Sequence, residues 1–174
     1  MRPRSARQDR RMGIRYYAYA FDADRTEAAL ADPRSVIGDD PLADAWGMPH
    51  GAAMAVTNFE QSLPERDMVH LDKAWSPLQA LTAARAPGGT PRPAHRMFEG
   101  RVTPNGYGWI PWMRALVPEE IAEIADDLVE LQQVFDAGDP TKDDAEYISR
   151  FLDRAVRFTT EVARSKRGLV YYIG

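Results

Sequence analysis

The pattern that most constrains this chain is VPEEIAEIADDLVELQQVF (117–135), followed by a second helical stretch and then LVYYI (169–173). Pro118 suits the first helical position, and Glu119 and Glu120 complement the positive end of the helix dipole. Ile121, Ile124, Ala125, Leu128, Leu131 and Phe135 recur at helical spacing and make one continuous apolar stripe. Gly138 and Pro140 stop it. A second helix is expected over 142–167, with Tyr147, Phe151, Leu152, Ala155, Phe158, Thr159 and Val162 on its inner side and Gly168 just past its end. Two long amphipathic helices cannot bury such stripes alone; they need each other or a sheet.

The sheet is announced at both ends. Gly13 to Phe21 alternates Ile14, Tyr16, Ala18 and Ala20 with Arg15, Tyr17, Tyr19 and Phe21, and it is aromatic-rich. With LVYYI, this predicts strands 14–20 and 169–173 in one sheet, mixed or antiparallel. The fold class is α+β, with both long helices packed on that sheet. Between these ends, a helix capped by Asp24 with Glu27 in a capping box is expected to stop by Asp32, ahead of Pro33. One helical turn is expected around Leu42, Ala45 and Trp46, and the conformation of 48–66 is not assigned. Residues 68–71 read as a short buried strand. Asp72 reads as the N-cap of LDKAWSPLQALT, a helix that either starts at Ser76 or kinks at Pro77. Residues 84–93 form a loop, 95–102 read as a strand, and Asn105-Gly106 marks a tight turn.

The formal net charge of −4 hides an asymmetry. Residues 1–11 carry five Arg against one Asp, which leaves the remainder at −8. The organisation expected is a dispensable basic arm over 1–11, with Met12 as the functional start, and a single domain over 12–174. An acidic body disfavours nucleic acid as a partner. No apolar run is long enough to span a membrane, and no apolar stretch follows Arg10-Arg11 as export would need, so a cytoplasmic location is expected.

The absence of Cys removes disulfides, thiolate metal sites and cysteine nucleophiles. DADRTE (22–27) begins like a calcium loop, but Glu27 stands where glycine is needed and Pro33 where the bidentate glutamate belongs. The carboxylates Asp136, Asp139, Asp143 and Asp144 fail the same test and read as a solvated helix junction. Gly88-Gly89-Thr90 lacks the ending of a phosphate loop, and neither a nucleophile elbow nor an HExxH pair occurs. No metal, cofactor or catalytic residue is therefore assigned.

Five residues remain as binding candidates: His70, Asp72, Lys73, Trp75 and Trp109. On one extended strand, His70 and Asp72 share a face and could form a base with an orienting carboxylate. Lacking a visible nucleophile, the pair reads more simply as a structural histidine beside a cap. Trp109 lies with Tyr107 and Trp112 in the densest aromatic patch, suited to stacking or to plugging the end of the sheet. Arg150, Arg154, Arg157 and Arg164, interleaved with Asp153 and Glu161, read as a solvated mixed-sign row.

MGIRYYAYAF with a short helix after it, then Leu71-Asp72-Lys73-Ala74-Trp75 opening a helix, then VPEEIAEIADDL and a long helix ending at Gly168 before an apolar strand, together resemble the YfbM-like family, a bacterial domain of unknown function. The resemblance implies an α+β fold and carries no catalytic residues, but it points to Asp72, Lys73 and Trp75. Pro77 and the segment 43–66 depart from it. The function expected is a protein-interaction domain, inhibitor-like or immunity-like; the alternative is a small-molecule-binding protein or small enzyme with a cleft around LDKAW.

Overall fold

The computed structural model describes residues 13–48, 50, 60–136, 138 and 144–174. The basic arm and the start of the helix expected over 142–167 lie outside the described residues.

The two ends of the chain pair, as the aromatic alternation predicts. Strand β1 (Tyr16–Phe21) runs antiparallel to the C-terminal strand (Gly168–Ile173), with Tyr16 opposite Ile173 and Phe21 opposite Gly168. Arg15 and Gly174 exchange backbone hydrogen bonds at 3.0 Å and extend the ladder by one rung. Gly168 is required by close approach, because a Cβ there would run into the Phe21 ring and the Leu116 carbonyl. These two strands are the middle of a four-stranded antiparallel sheet. One edge is β2 (Met68–Asp72), beside β1; the other is β5 (Trp112–Leu116), beside the C-terminal strand, β6. A small separate hairpin, β3 (Thr103–Asn105) and β4 (Gly108–Ile110), turns through Gly106 and Tyr107, one residue beyond the expected Asn-Gly step.

Both faces of the sheet are covered, which is why both parities of β1 are apolar. On one face, Tyr16, Ala18, Val69, Leu71, Leu169, Tyr171 and Ile173 form a core with the two long helices α4 (Pro118–Asp136) and α5 (Ala145–Arg164). The stripes read from the sequence are the ones buried: Ile121, Ile124 and Leu128 from α4, with Leu152, Ala155 and Val162 from α5, are 0% exposed. On the other face, Tyr17, Tyr19, Phe21, Met68 and Val170 lie under α1 (Thr26–Ala31), α2 (Pro41–Trp46) and the turn between them. The helical turn expected around Leu42 is α2, capped by Asp40, whose carboxylate accepts from the Ala43 N–H at 3.0 Å. The Tyr19 hydroxyl, buried under it, donates to Asp44 at 2.8 Å; burial and that carboxylate push the phenol well above its ordinary range.

Three local expectations are corrected. Asp24 does not cap a helix: residues 23–25 form one 3-10 turn, and α1 begins at Thr26, whose hydroxyl donates to the Ala23 carbonyl at 2.7 Å. Residues 95–102 are not a strand; Pro93–Met97 is a 3-10 helix. Proline at its start favours helical φ, and α4 holds it in place. The half-buried Arg92 donates to Asp127 at 2.7 Å, and Asp127 also accepts the Ala94 N–H at 2.9 Å. Asp72 does not cap the helix after it: α3 spans Trp75–Thr82, and Ala74 holds the cap position without a side-chain bond. Pro77 is tolerated in the first turn because N–H groups there have no intrahelical acceptor.

The buried Asp127 carboxylate pins the 3-10 segment to α4. Replacing it, Asp127→Ala, should cost about 2–3 kcal/mol, since it removes a charge-assisted bond and leaves the Ala94 N–H unpaired. Urea titration measures this; a loss below about 0.5 kcal/mol would contradict the assignment.

Candidate functional site

Strand β2 is an edge, and what happens along it decides where the predicted residues end up. Consecutive residues Tyr16 and Tyr17 pair with Asp72 and His70, so Leu71 is an extra residue on β2. Such a bulge breaks the alternation. His70 therefore sits opposite a residue of one sheet face and Asp72 opposite a residue of the other, and they do not share a face as an unbroken strand predicts. Asp72 takes φ 45°, a left-handed conformation that Asp tolerates better than most residues.

That conformation makes Asp72 a junction. Its carboxylate accepts from Arg15 Nε at 3.0 Å and from the Tyr147 hydroxyl at 3.1 Å. The pair with Arg15 is three-quarters buried on both sides. Tyr147 is pushed up to about 12, first by burial and then by the adjacent carboxylate. Asp72 thus ties the lead-in to β1 to the start of α5.

His70 is buried, and its Nδ1 has no hydrogen-bond partner among the described residues. Burial, with the positive charge of Arg154 second, lowers its pKa to about 4. It is neutral at pH 7 and stands among rings. Trp46 lies 5.6 Å away on one side, its Nε1 equally without a partner, and Phe151 lies edge-on at 6.4 Å on the other. Phe151 then meets Tyr147 edge-on at 4.8 Å. The guanidinium groups of Arg150 and Arg154 stand over Phe151 at 5.1 and 5.8 Å from its centre. The result is an arginine–aromatic cluster where β2, α2 and α5 meet.

The remaining candidates are dispersed. Lys73 is exposed and lines an open groove of about 390 Å³ with Ser76, Pro77, Asp144 and Tyr147. Trp75 packs against the main core, its Nε1 3.5 Å from the Ile14 carbonyl. Trp109 is on β4, where its ring lies beside Gly13, and it remains 39% exposed. Trp112 packs over Gly100, a position with φ 124° where any side chain would enter the indole. Its Nε1 donates to the Tyr171 hydroxyl at 3.3 Å. Every residue from Thr103 to Ile110 is exposed, and Tyr107 at the turn is fully so.

The sequence placed Arg154 in a solvated row, Phe151 on a buried helix face and Trp46 in a helical turn, and none of them in a site. The signal present was an aromatic followed three residues later by arginine and repeated one turn on, Tyr147/Arg150 and Phe151/Arg154. Among the described residues, no group of three or more His, Asp or Glu is placed to hold a metal ion, and no helix is long and apolar enough to cross a membrane.

The state of His70 has a measurable consequence. Its pKa is depressed on folding, so the unfolded chain binds the extra proton between pH 6.5 and about 4. Its contribution is present above pH 6.5 and is lost as pH falls toward 4, on the order of 2–3 kcal/mol. Denaturant titrations at pH 7 and 4.5 should show a steeper loss in wild type than in His70→Gln. Equal slopes would mean that the ring is not held neutral.

No family model matches the chain, and neither a curated protein nor a solved structure does.

Proposed function

We propose that this chain is a protein-interaction domain, inhibitor-like or immunity-like, and that it meets its partner through the β3–β4 hairpin. The observation that carries this is the exposure of Tyr107, Trp109 and Ile110 on one short projecting ribbon, with Trp112 37% exposed beside it. Large aromatic side chains left in water forgo the free energy that burial against a partner would supply. They are also the residue types that dominate binding hot spots when a partner desolvates them. The acidic balance of the chain beyond its first eleven residues favours encounter with a basic partner. The LDKAW segment and the strand pattern at either end support a YfbM-like assignment, and the location proposed with it is cytoplasmic.

The variant Tyr107→Ser/Ile110→Ser should keep its stability within about 0.5 kcal/mol, since neither side chain is buried. Its affinity should fall tenfold or more for a stoichiometric partner captured from the native host and then reconstituted from purified proteins. Capture of chaperones alone, or a partner indifferent to the double substitution, would sink the proposal.

A second reading, a small-molecule site at LDKAW, is favoured by the groove between Lys73 and Tyr147, beside the Asp72 carboxylate. A thermal-shift screen of small polar metabolites in which no hit is weakened by Tyr147→Phe would remove it.

A further inference from the structure

The hairpin leaves unexplained a second cleft, of about 170 Å³, between the outer edge of β2 and α5. Its floor is apolar, made by Met68, Val69 and Phe158. Its cations are mostly engaged. Arg157 pairs with Asp153 at 2.9 Å, and Arg66 lies 3.7 Å from Asp67. Glu161, on the rim, is held by Arg164 at 2.7 Å. Arg154 differs. It is half-buried, and among the described residues it makes neither a hydrogen bond nor an ion pair; Phe151 covers one face of its guanidinium. A ring contact uses the face of that group and leaves its N–H edge, with five donors, open to solvent or to a ligand. Glu65, across the cleft, favours its charge without forming an ion pair with it. Phe151, under Arg154, also meets His70, whose Nδ1 is buried without a partner among the described residues, as is Nε1 of the adjacent Trp46. Native proteins seldom leave polar atoms in that state without a reason.

We propose that this cleft binds a small organic carboxylate, with Arg154 taking the carboxylate and the apolar floor taking the body of the ligand. The size is right, since a cavity of roughly 150 Å³ holds one benzene ring. The charge selects a carboxylate over phosphate. One cation, Arg154, has no ion pair among the described residues, while Glu65 and Glu161 stand at the rim and repel a second negative charge. A planar guanidinium also matches a carboxylate bidentately. Arg154 loses solvation on folding, and burial lowers its pKa, so a bound anion replaces hydration that the folded chain has already given up.

The site is independent of the hairpin, and the experiment keeps the two apart. The full chain is titrated with benzoate, followed by amide and guanidinium NMR shifts. Saturable shifts are expected at Arg154, Phe158 and Val69, and they should persist in Tyr107→Ser/Ile110→Ser. Arg154→Gln should weaken binding at least about tenfold at unchanged melting temperature, and Arg154→Lys should weaken it less. Glu65→Gln should tighten it, because it removes repulsion at the rim. Benzyl alcohol and inorganic phosphate should produce no saturable shift at these residues. Wild type that does not bind benzoate, binding indifferent to both Arg154 variants, or phosphate competing as well as benzoate would each overturn the proposal.

Discussion

The structure depends on the pairing of the chain's two ends in the middle of one sheet. β1 and β6 contribute to both of its cores, so each strand carries aromatic or aliphatic side chains on both faces: Tyr16 and Tyr171 stack at 5.5 Å under the long helices, and Tyr17 and Tyr172 approach at 6.0 Å on the other face. Contacts between residues about 150 positions apart must form before either core closes. The long helices supply the compensating local stability, since α4 and α5 pack along each other and bury their stripes against the same sheet.

With the central positions taken by the chain ends, β2 and β5 become edges, and the edges carry what is unusual. At β5, the aromatics of the adjoining hairpin stay in water. At β2, the extra residue Leu71 turns Asp72 toward Arg15 and Tyr147 and leaves His70 among Trp46 and Phe151. Gln61 covers part of this edge, donating to the Met68 carbonyl at 3.0 Å, and so blunts it against pairing with another strand. The cleft beside Arg154 opens where that cover ends.

The long helices, the terminal strands and their pairing were legible because each rests on a repeat of strong local signals: period 3.6 over five turns, period 2 with aromatics, Pro118 before α4 and Gly168 after α5. The failures were positions where a distant residue wins over local preference. Asp72 has good capping chemistry, but Arg15, 57 positions away, takes its carboxylate. Residues 95–102 have strand-like composition, but Asp127 of α4 claims the Ala94 N–H and holds the preceding turn helical. Arg154 lay in a row that read as solvated surface, and two of that row's members, Arg157 and Arg164, are indeed paired along their own helix. Only the packing of α5 on β2 puts Arg154 at a cleft where, among the described residues, it forms no ion pair.

By itself the sequence determined the class of the fold, the ends of its sheet and the faces its long helices bury, because hydrophobic periodicity and caps act within a few residues of one another. It also determined that thiol chemistry is closed to this chain. The tertiary structure alone decided which side chains meet. The bulge on β2 separates His70 from Asp72; among the described residues the Arg154 guanidinium is left without a hydrogen bond or ion pair and two ring nitrogens without partners; and the hairpin leaves three large side chains exposed. These are differences of a few ångströms between residues 20 to 100 positions apart, and no local pattern carries that information.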